Sequence, residues 1–178
     1  MKSKFIGFPG ALLMLSILLL TSCNGTITVK VVDEETGEPI EGAVVMVEWT
    51  ITKGIGLTHT DSYKVVEVVT DKEGKAEMSG VYNPFADLSS VAVYKKGYVL
   101  WSNNDVFKGS RMLTNFEWKN NYTFKLNRFK PEYSYIEHTS FISRSTGTAH
   151  GDKKLLDEAY YWEELEASKE RDKRRRQQ

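Results

Sequence analysis

The chain has 178 residues, enough for one domain with its own core. Its 24 basic and 24 acidic residues leave no formal net charge, which excludes a chain-wide nucleic-acid footprint. A single cysteine excludes an internal disulfide, so packing alone must hold the fold.

The N-terminal segment begins with Lys2 and Lys4 and continues as an apolar run over residues 5–20. Gly7, Pro9 and Gly10 interrupt the run, and it falls short of the roughly 20 residues a spanning helix needs. Cations, an apolar stretch and then small residues are the layout of a secretory signal. Leu20-Thr21-Ser22-Cys23 resembles the bacterial lipobox. That resemblance implies cleavage before Cys23 and acylation of Cys23, with residues 1–22 as the signal peptide and 23–25 as the tether. The protein would then reside in the cell envelope, lipid-anchored. Asn24, in place of the aspartate that signals inner-membrane retention in some enteric bacteria, points to the outer membrane.

Residues 26–127 read as short strands separated by turn signals. Residues 26–32 place Ile27, Val29 and Val31 on one face, the period-two pattern of a half-buried strand. Gly37 and Pro39 break the chain within a turn over 33–42. The segment 43–49 puts Ala43, Val45, Val47 and Trp49 on one face. Residues 63–70 are rich in valine, though Glu67 blurs their alternation. A tight turn at 71–74 leads to 75–79, which buries Ala76 and Met78. Segments 91–95 and 98–102 flank Lys96-Gly97, and 122–127 turns Tyr122, Phe124 and Leu126 inward. Seven such strands predict an all-β, antiparallel sandwich, transthyretin- or immunoglobulin-like in layout, with a C-terminal helix.

Four motifs carry a further resemblance: Val32-Asp33, Thr36 to Val44, Thr70 to Gly74, and Tyr94 to Tyr98. In order and spacing they are similar to the carboxypeptidase regulatory-like domain, a transthyretin-like sandwich. The resemblance covers residues 26–127 and implies a fold. It implies no activity, since members are accessory, adhesion or binding modules.

Beyond the strands, residues 128–151 are polar and aromatic and read as irregular chain. Residues 152–178 read as a charged helix, with Gly151-Asp152 as its start and a stripe of Leu155, Ala159 and Trp162 widened by Leu156 and Tyr160. Because all seven strands precede residue 129, this helix is expected to be dispensable for folding.

No catalytic constellation and no metal-ligand spacing is evident, and no cofactor is expected. His59, His138 and His150 read as solvated loop residues, and the acids at 33–38 and 71–73 as solvated turns rather than a calcium site. The chain lacks the C-terminal Tyr-Arg-Gly-Ser of hydroxyisourate hydrolases and the His-x-His of intradiol dioxygenases, two enzyme families on similar scaffolds. Phe85, Trp101, Phe107, Phe116 and Trp118 lie in or beside long loops and are the candidate binding residues. They could stack on sugar rings, or they could anchor loops to the core. The reading is therefore a non-enzymatic envelope module whose partners are the membrane, through the N-terminal lipid, and an envelope protein or a glycan. An unrecognised hydrolase is the remaining alternative.

Strand alternation also predicts an orientation. Connections 33–42, 71–74 and 95–97 fall at one end, and 50–62, 80–90 and 103–121 at the other. Strand one starts at the second end, and two residues separate it from Cys23. That tether spans on the order of 10 Å, so the long loops should face the membrane, with Phe85, Phe107 and Trp118 near its interface.

Overall fold

The computed structural model describes residues 26–81, 83–109, 116–146 and 153–177. The signal segment, Cys23, the tether, His150 and Asp152 lie outside the described residues. The strands are β1 (Thr26–Asp33), β2 (Val44–Lys53), β3 (His59–Val69), β4 (Lys75–Ser79), β5 (Ala86–Tyr94), β6 (Trp101–Ser102) and β7 (Tyr122–Leu126). Two helices follow, α1 (Tyr135–Thr146) and α2 (Lys154–Arg175).

The strands form two sheets, ordered β4-β1-β7 and β3-β2-β5-β6. The four-stranded sheet is antiparallel throughout. The three-stranded sheet is mixed, because β7 runs parallel to β1 from Val29↔Tyr122 to Asp33↔Leu126. The expected all-antiparallel sandwich is corrected on this point, and the reason is parity. Every connection reverses the chain, so all odd-numbered strands run the same way. β1 and β7 are both odd, and neighbours of one parity must be parallel. Two loops are also shorter than expected. β2 and β3 extend toward each other until only residues 54–58 join them, and β5 starts at Ala86.

Between the sheets lies the predicted core. Val29 and Val31 of β1, Val45, Val47 and Trp49 of β2, and Phe124 and Leu126 of β7 pack there with Ala76, Met78, Val91 and Val93. A second core lies on the opposite face of the four-stranded sheet. Val44, Met46, Ala92, Tyr94 and Leu100 pack there against Phe141 and Ile142 of α1 and Leu156 of α2. The molecule is thus three layers deep: sheet, sheet, helices.

That third layer changes the reading of the extension. Residues 128–151 are not irregular throughout, since 135–146 form α1, with His138, Phe141 and Ile142 buried. The buried stripe of α2 is also rotated from the expected one. Leu156, Glu163 and Ala167 are buried, while Leu155 is 40% exposed. The rotation places a carboxylate in the stripe, which apolar periodicity cannot detect.

Both helix starts are closed by glutamates distant in sequence. Glu67 of β3 accepts the backbone N–H groups of Leu155 and Leu156 at 2.9 and 2.8 Å. It therefore fills the cap that Lys153 leaves empty, at the positive end of the helix dipole. Glu170 of α2 likewise accepts Ser134 Oγ at 2.8 Å and Ile136 N–H at 3.3 Å, at the start of α1. Burial pushes the Glu170 carboxyl up, but these donors and Arg174 outweigh it and hold it below the usual range.

The four motifs behind the family resemblance meet at one end of the sandwich. Gly74 N–H and C=O close the 71–74 turn onto Asp71 and Val31, at 3.0 and 2.8 Å. Its φ is +71°, and a Cβ there would lie 2.5 Å from Val31 O, so only glycine fits. Thr70 Oγ1 donates to Ile40 O at 2.7 Å and accepts Ala43 N–H at 2.8 Å. Asp33, expected in a solvated turn, is instead buried. It accepts Tyr98 Oη–H at 3.0 Å and Arg128 Nε–H at 2.7 Å, and the backbone amides of Glu35 and Thr36. Tyr98 follows β5 and Arg128 follows β7, so one carboxylate ties both sheets together. Burial pushes Asp33 up, yet the donors from Thr36, Tyr98, Arg128 and Glu35 together hold it down at about 2.

This packing makes three predictions. Leu156→Ala should cost about 2–5 kcal/mol, while Leu165→Ala, on the exposed face of α2, should stay within about 0.5. Removing residues 153–178 should abolish cooperative urea unfolding, because it strips the cover from Met46 and Tyr94; a truncated chain that melts normally would restore the expectation of a dispensable helix. Asp33 has a folded pKa below its ordinary 3.8, so its contribution is complete above that value and is lost as pH falls through about 2. Wild-type stability should fall through this acid window, and Asp33→Asn should flatten that limb in a series of melts.

Candidate functional site

The five aromatic residues nominated from sequence separate into three places. Trp101, Phe116 and Trp118 are half-buried against the inter-sheet core. Trp101 meets Phe124 at 4.7 Å and Phe116 at 5.2 Å, both edge-on, and Phe116 and Trp118 are tilted by 55° at 6.3 Å. These rings interlock like core residues and do not form a flat stacking platform. Phe107 closes the second core instead, against Tyr133 at 5.3 Å, His138 at 4.9 Å and Phe141 at 5.4 Å. Phe85 stands apart, 78% exposed, at the end of the sandwich where β1 begins. An Asn83 turn holds it there: Asn83 Oδ1 accepts Phe85 N–H at 3.0 Å, and Asn83 O accepts Ala86 N–H at 3.1 Å.

Trp101 and Phe107 do share a cleft, on the open side of the sandwich between the edge strands β6 and β7. The sheets touch at the lower end, where Val99 N–H donates to Asn127 O at 2.8 Å. Above this they part, leaving a cleft of about 440 Å³. Tyr122 and Tyr133 add two more rings, and Glu34, Asp105 and Lys125 add charges of both signs. The cleft's loop is braced from β5, where Val91 N–H donates to Asn103 Oδ1 at 2.7 Å and Asn104 Nδ2 donates to Ser89 O at 3.3 Å. β7 is bonded to β1 alone, so its outer edge faces the cleft without a strand partner. A cleft with an open strand edge, aromatic walls and few charges suits an extended, mostly neutral ligand.

Sequence reasoning missed a polar network buried under the helices. His138 is fully buried, contrary to the expected loop histidine. Leu100 N–H donates to its Nε2 at 3.0 Å, which fixes the proton on Nδ1. Nδ1–H donates to Glu163 Oε2 at 2.6 Å. Glu163 Oε1 accepts Tyr94 Oη–H at 2.8 Å, and Tyr94 Oη accepts Trp162 Nε1–H at 2.9 Å. Burial, then the Glu163 carboxylate, pushes the Tyr94 phenol up, so it stays a donor. The network joins β5, the segment leading to β6, α1 and α2. With every member paired and His138 and Glu163 closed to solvent, it resembles an acid–base pair in composition and a staple in geometry.

A second buried group is not satisfied. Glu48 of β2 is fully buried, and neither carboxylate oxygen has a hydrogen-bond partner among the described residues. Ser145 Oγ, also under the helical layer, is likewise unpaired. No group of three or more histidine, cysteine or acidic side chains converges to hold a metal ion among the described residues. Nor is any described helix long and apolar enough to cross a membrane.

Comparison with protein-family models finds no match, and no curated protein matches the chain.

An unpaired buried polar group costs roughly 1–3 kcal/mol. Glu48→Met, of similar volume, should therefore raise stability by about that amount. A loss of stability in urea melts would mean that the carboxyl holds a partner in solution.

Proposed function

We propose that this chain is a non-enzymatic lipoprotein of a bacterial cell envelope, whose β-sandwich is a protein-interaction or structural module held close to the membrane. The observation that carries this reading is the placement of Leu20-Thr21-Ser22-Cys23 just ahead of β1, which starts at Thr26. Asn24 and Gly25 alone separate an acylated Cys23 from a folded strand. The carboxypeptidase regulatory-like resemblance supports the same class, since its motif residues build the stapled end of the fold and touch no cleft chemistry. The buried acid–base pair, His138 and Glu163, has no surface on which to meet a substrate. Asn24 favours the outer membrane over the inner one.

A second reading, glycan or peptidoglycan binding, is favoured by the cleft between β6 and β7. Rings of Trp101, Tyr122 and Tyr133 stand there beside Asp105 and Asn127, the mixture of apolar faces and hydrogen-bonding groups that sugars need. Pull-down on purified cell wall separates the two readings. Retention lost on joint Asp105→Ala and Asn127→Ala substitution would favour the glycan; no retention would leave the protein-interaction module.

Anchoring has its own test. One acyl chain holds a protein only marginally, whereas two or more hold it stably. Cys23→Ala should release or stall the protein. If that variant still partitions with membranes after alkaline wash, and mass spectrometry of the wild type finds no acyl group on Cys23, the lipoprotein reading is wrong.

A further inference from the structure

We propose that the β2–β3 hairpin tip, Ile55 and Leu57, forms with Phe85 an apolar surface that inserts into the headgroup region of the bilayer to which the chain is anchored. This rests on the anchoring read from Cys23 and deepens it. The tether would fix the distance to the membrane, and the tip would fix the orientation of the domain upon it.

Ile55 and Leu57 are fully open to solvent, at 105% and 94% relative exposure. With Phe85 at 78%, they are the most exposed large apolar side chains among the described residues. All three sit at one end. Ile51 of β2 pairs with Ala86, so Phe85 lies beside β2, and the hairpin projects about three further residues, on the order of 10 Å. The same end receives the N-terminus: Thr26, the first residue of β1, pairs with Ser79, from which the chain runs on to Phe85. Thr26, three residues after Cys23 in the sequence, therefore lies at the end where the exposed apolar groups lie.

The turn itself is built to present these side chains. Gly54 has φ +110°, and a Cβ there would fall 2.2 Å from Leu57 O, so the chain folds back tightly at this glycine. Gly56, with φ +90°, separates the two apolar residues. Hairpin turns in water are ordinarily polar. This one places isoleucine and leucine at its apex, where they contribute nothing to either core. Charge near the tip is balanced, since Lys53 Nζ pairs with Asp61 at 2.9 Å and His59 lies 3.5 Å from the same carboxylate. A neutral, glycine-turned apolar apex with an aromatic ring behind it suits the interface of a bilayer, where apolar side chains and rings leave water together. Of the three residues expected there from sequence, Phe107 and Trp118 are spent on the two cores, and Phe85 alone is free.

The test uses the full, processed chain reconstituted in vesicles of phosphatidylethanolamine and phosphatidylglycerol. A polarity-sensitive fluorophore is placed in turn at Leu57→Cys, Phe85→Cys and Glu73→Cys, the last at the stapled end. The expected result is a blue shift with strong quenching by nitroxide-labelled lipid at positions 57 and 85, and neither at 73. If mass spectrometry shows Cys23 acylated while positions 57 and 85 stay water-like, the tip proposal is overturned and the anchoring stands. If Cys23 carries no acyl group, the anchoring reading fails. The tip is then judged by adding the same vesicles to the unacylated chain: a blue shift at 57 and 85 supports it, and its absence overturns it. Labels already shielded before lipid is added would mean contact between copies of the chain, and would also overturn it.

Discussion

Everything in this fold depends on β2 being buried on both faces. Its residues from Val44 to Thr50 are closed to solvent, with Val45, Val47 and Trp49 facing one core and Val44 and Met46 the other. A strand with one apolar face can end a structure against water, but a strand with two cannot. The three-stranded sheet covers one side. Something must cover the other, and α1 and α2 are that cover. The C-terminal region is accordingly part of the fold, and the glutamate caps and the His138–Glu163–Tyr94 network are the devices that seat it.

The strands were legible because their signals are local. Alternation at Ile27, Val29 and Val31, and glycines at tight turns, need no knowledge of the rest of the chain. The alternation of connections between the two ends of the sandwich also followed from the strand order, but their lengths did not, since the 54–58 and 80–85 loops are shorter than the 34–43 connection at the opposite end. The parallel β1–β7 pair did not, although it follows from the same alternation once the two strands are known to be neighbours. Adjacency between the first and last strand is a fact of tertiary packing, and no turn signal encodes it.

The helical layer was harder to read for three physical reasons. Residues 135–146 contain several serines and threonines, which compete for backbone hydrogen bonds and weaken the helical pattern. In the protein Thr139, Ser140 and Thr146 satisfy themselves on carbonyls three or four residues back. The buried stripe of α2 contains Glu163, which a hydropathy pattern assigns to solvent. Finally, Glu67 and Glu170 reach the helix starts from far away in sequence, and only α1 carries a local sign as well, Ser134 Oγ accepting Glu137 N–H at 3.4 Å. One hint was present. Val44, Met46, Ala92 and Tyr94 are as apolar as their neighbours, so the strands that looked alternating are apolar on both faces. The cleft was only partly legible: Trp101 and Phe107 were singled out, but the open edge of β7 beside them is a property of sheet order.

The molecule is polarised along its strands. At one end Asp33, Thr70, Gly74 and Tyr98 close the turns with hydrogen bonds. At the other end the chain enters, the hairpin tip exposes isoleucine and leucine, and Phe85 stands in solvent. A folded domain gains nothing from solvent-exposed apolar side chains on a glycine-built turn, because they lower no energy in the free state. The proposed contact with the bilayer would give them a role that neither core does. The motifs that specify the fold lie at the opposite end, so that surface can vary without disturbing the staples. The polarity therefore separates the residues that make the domain from those available to place it.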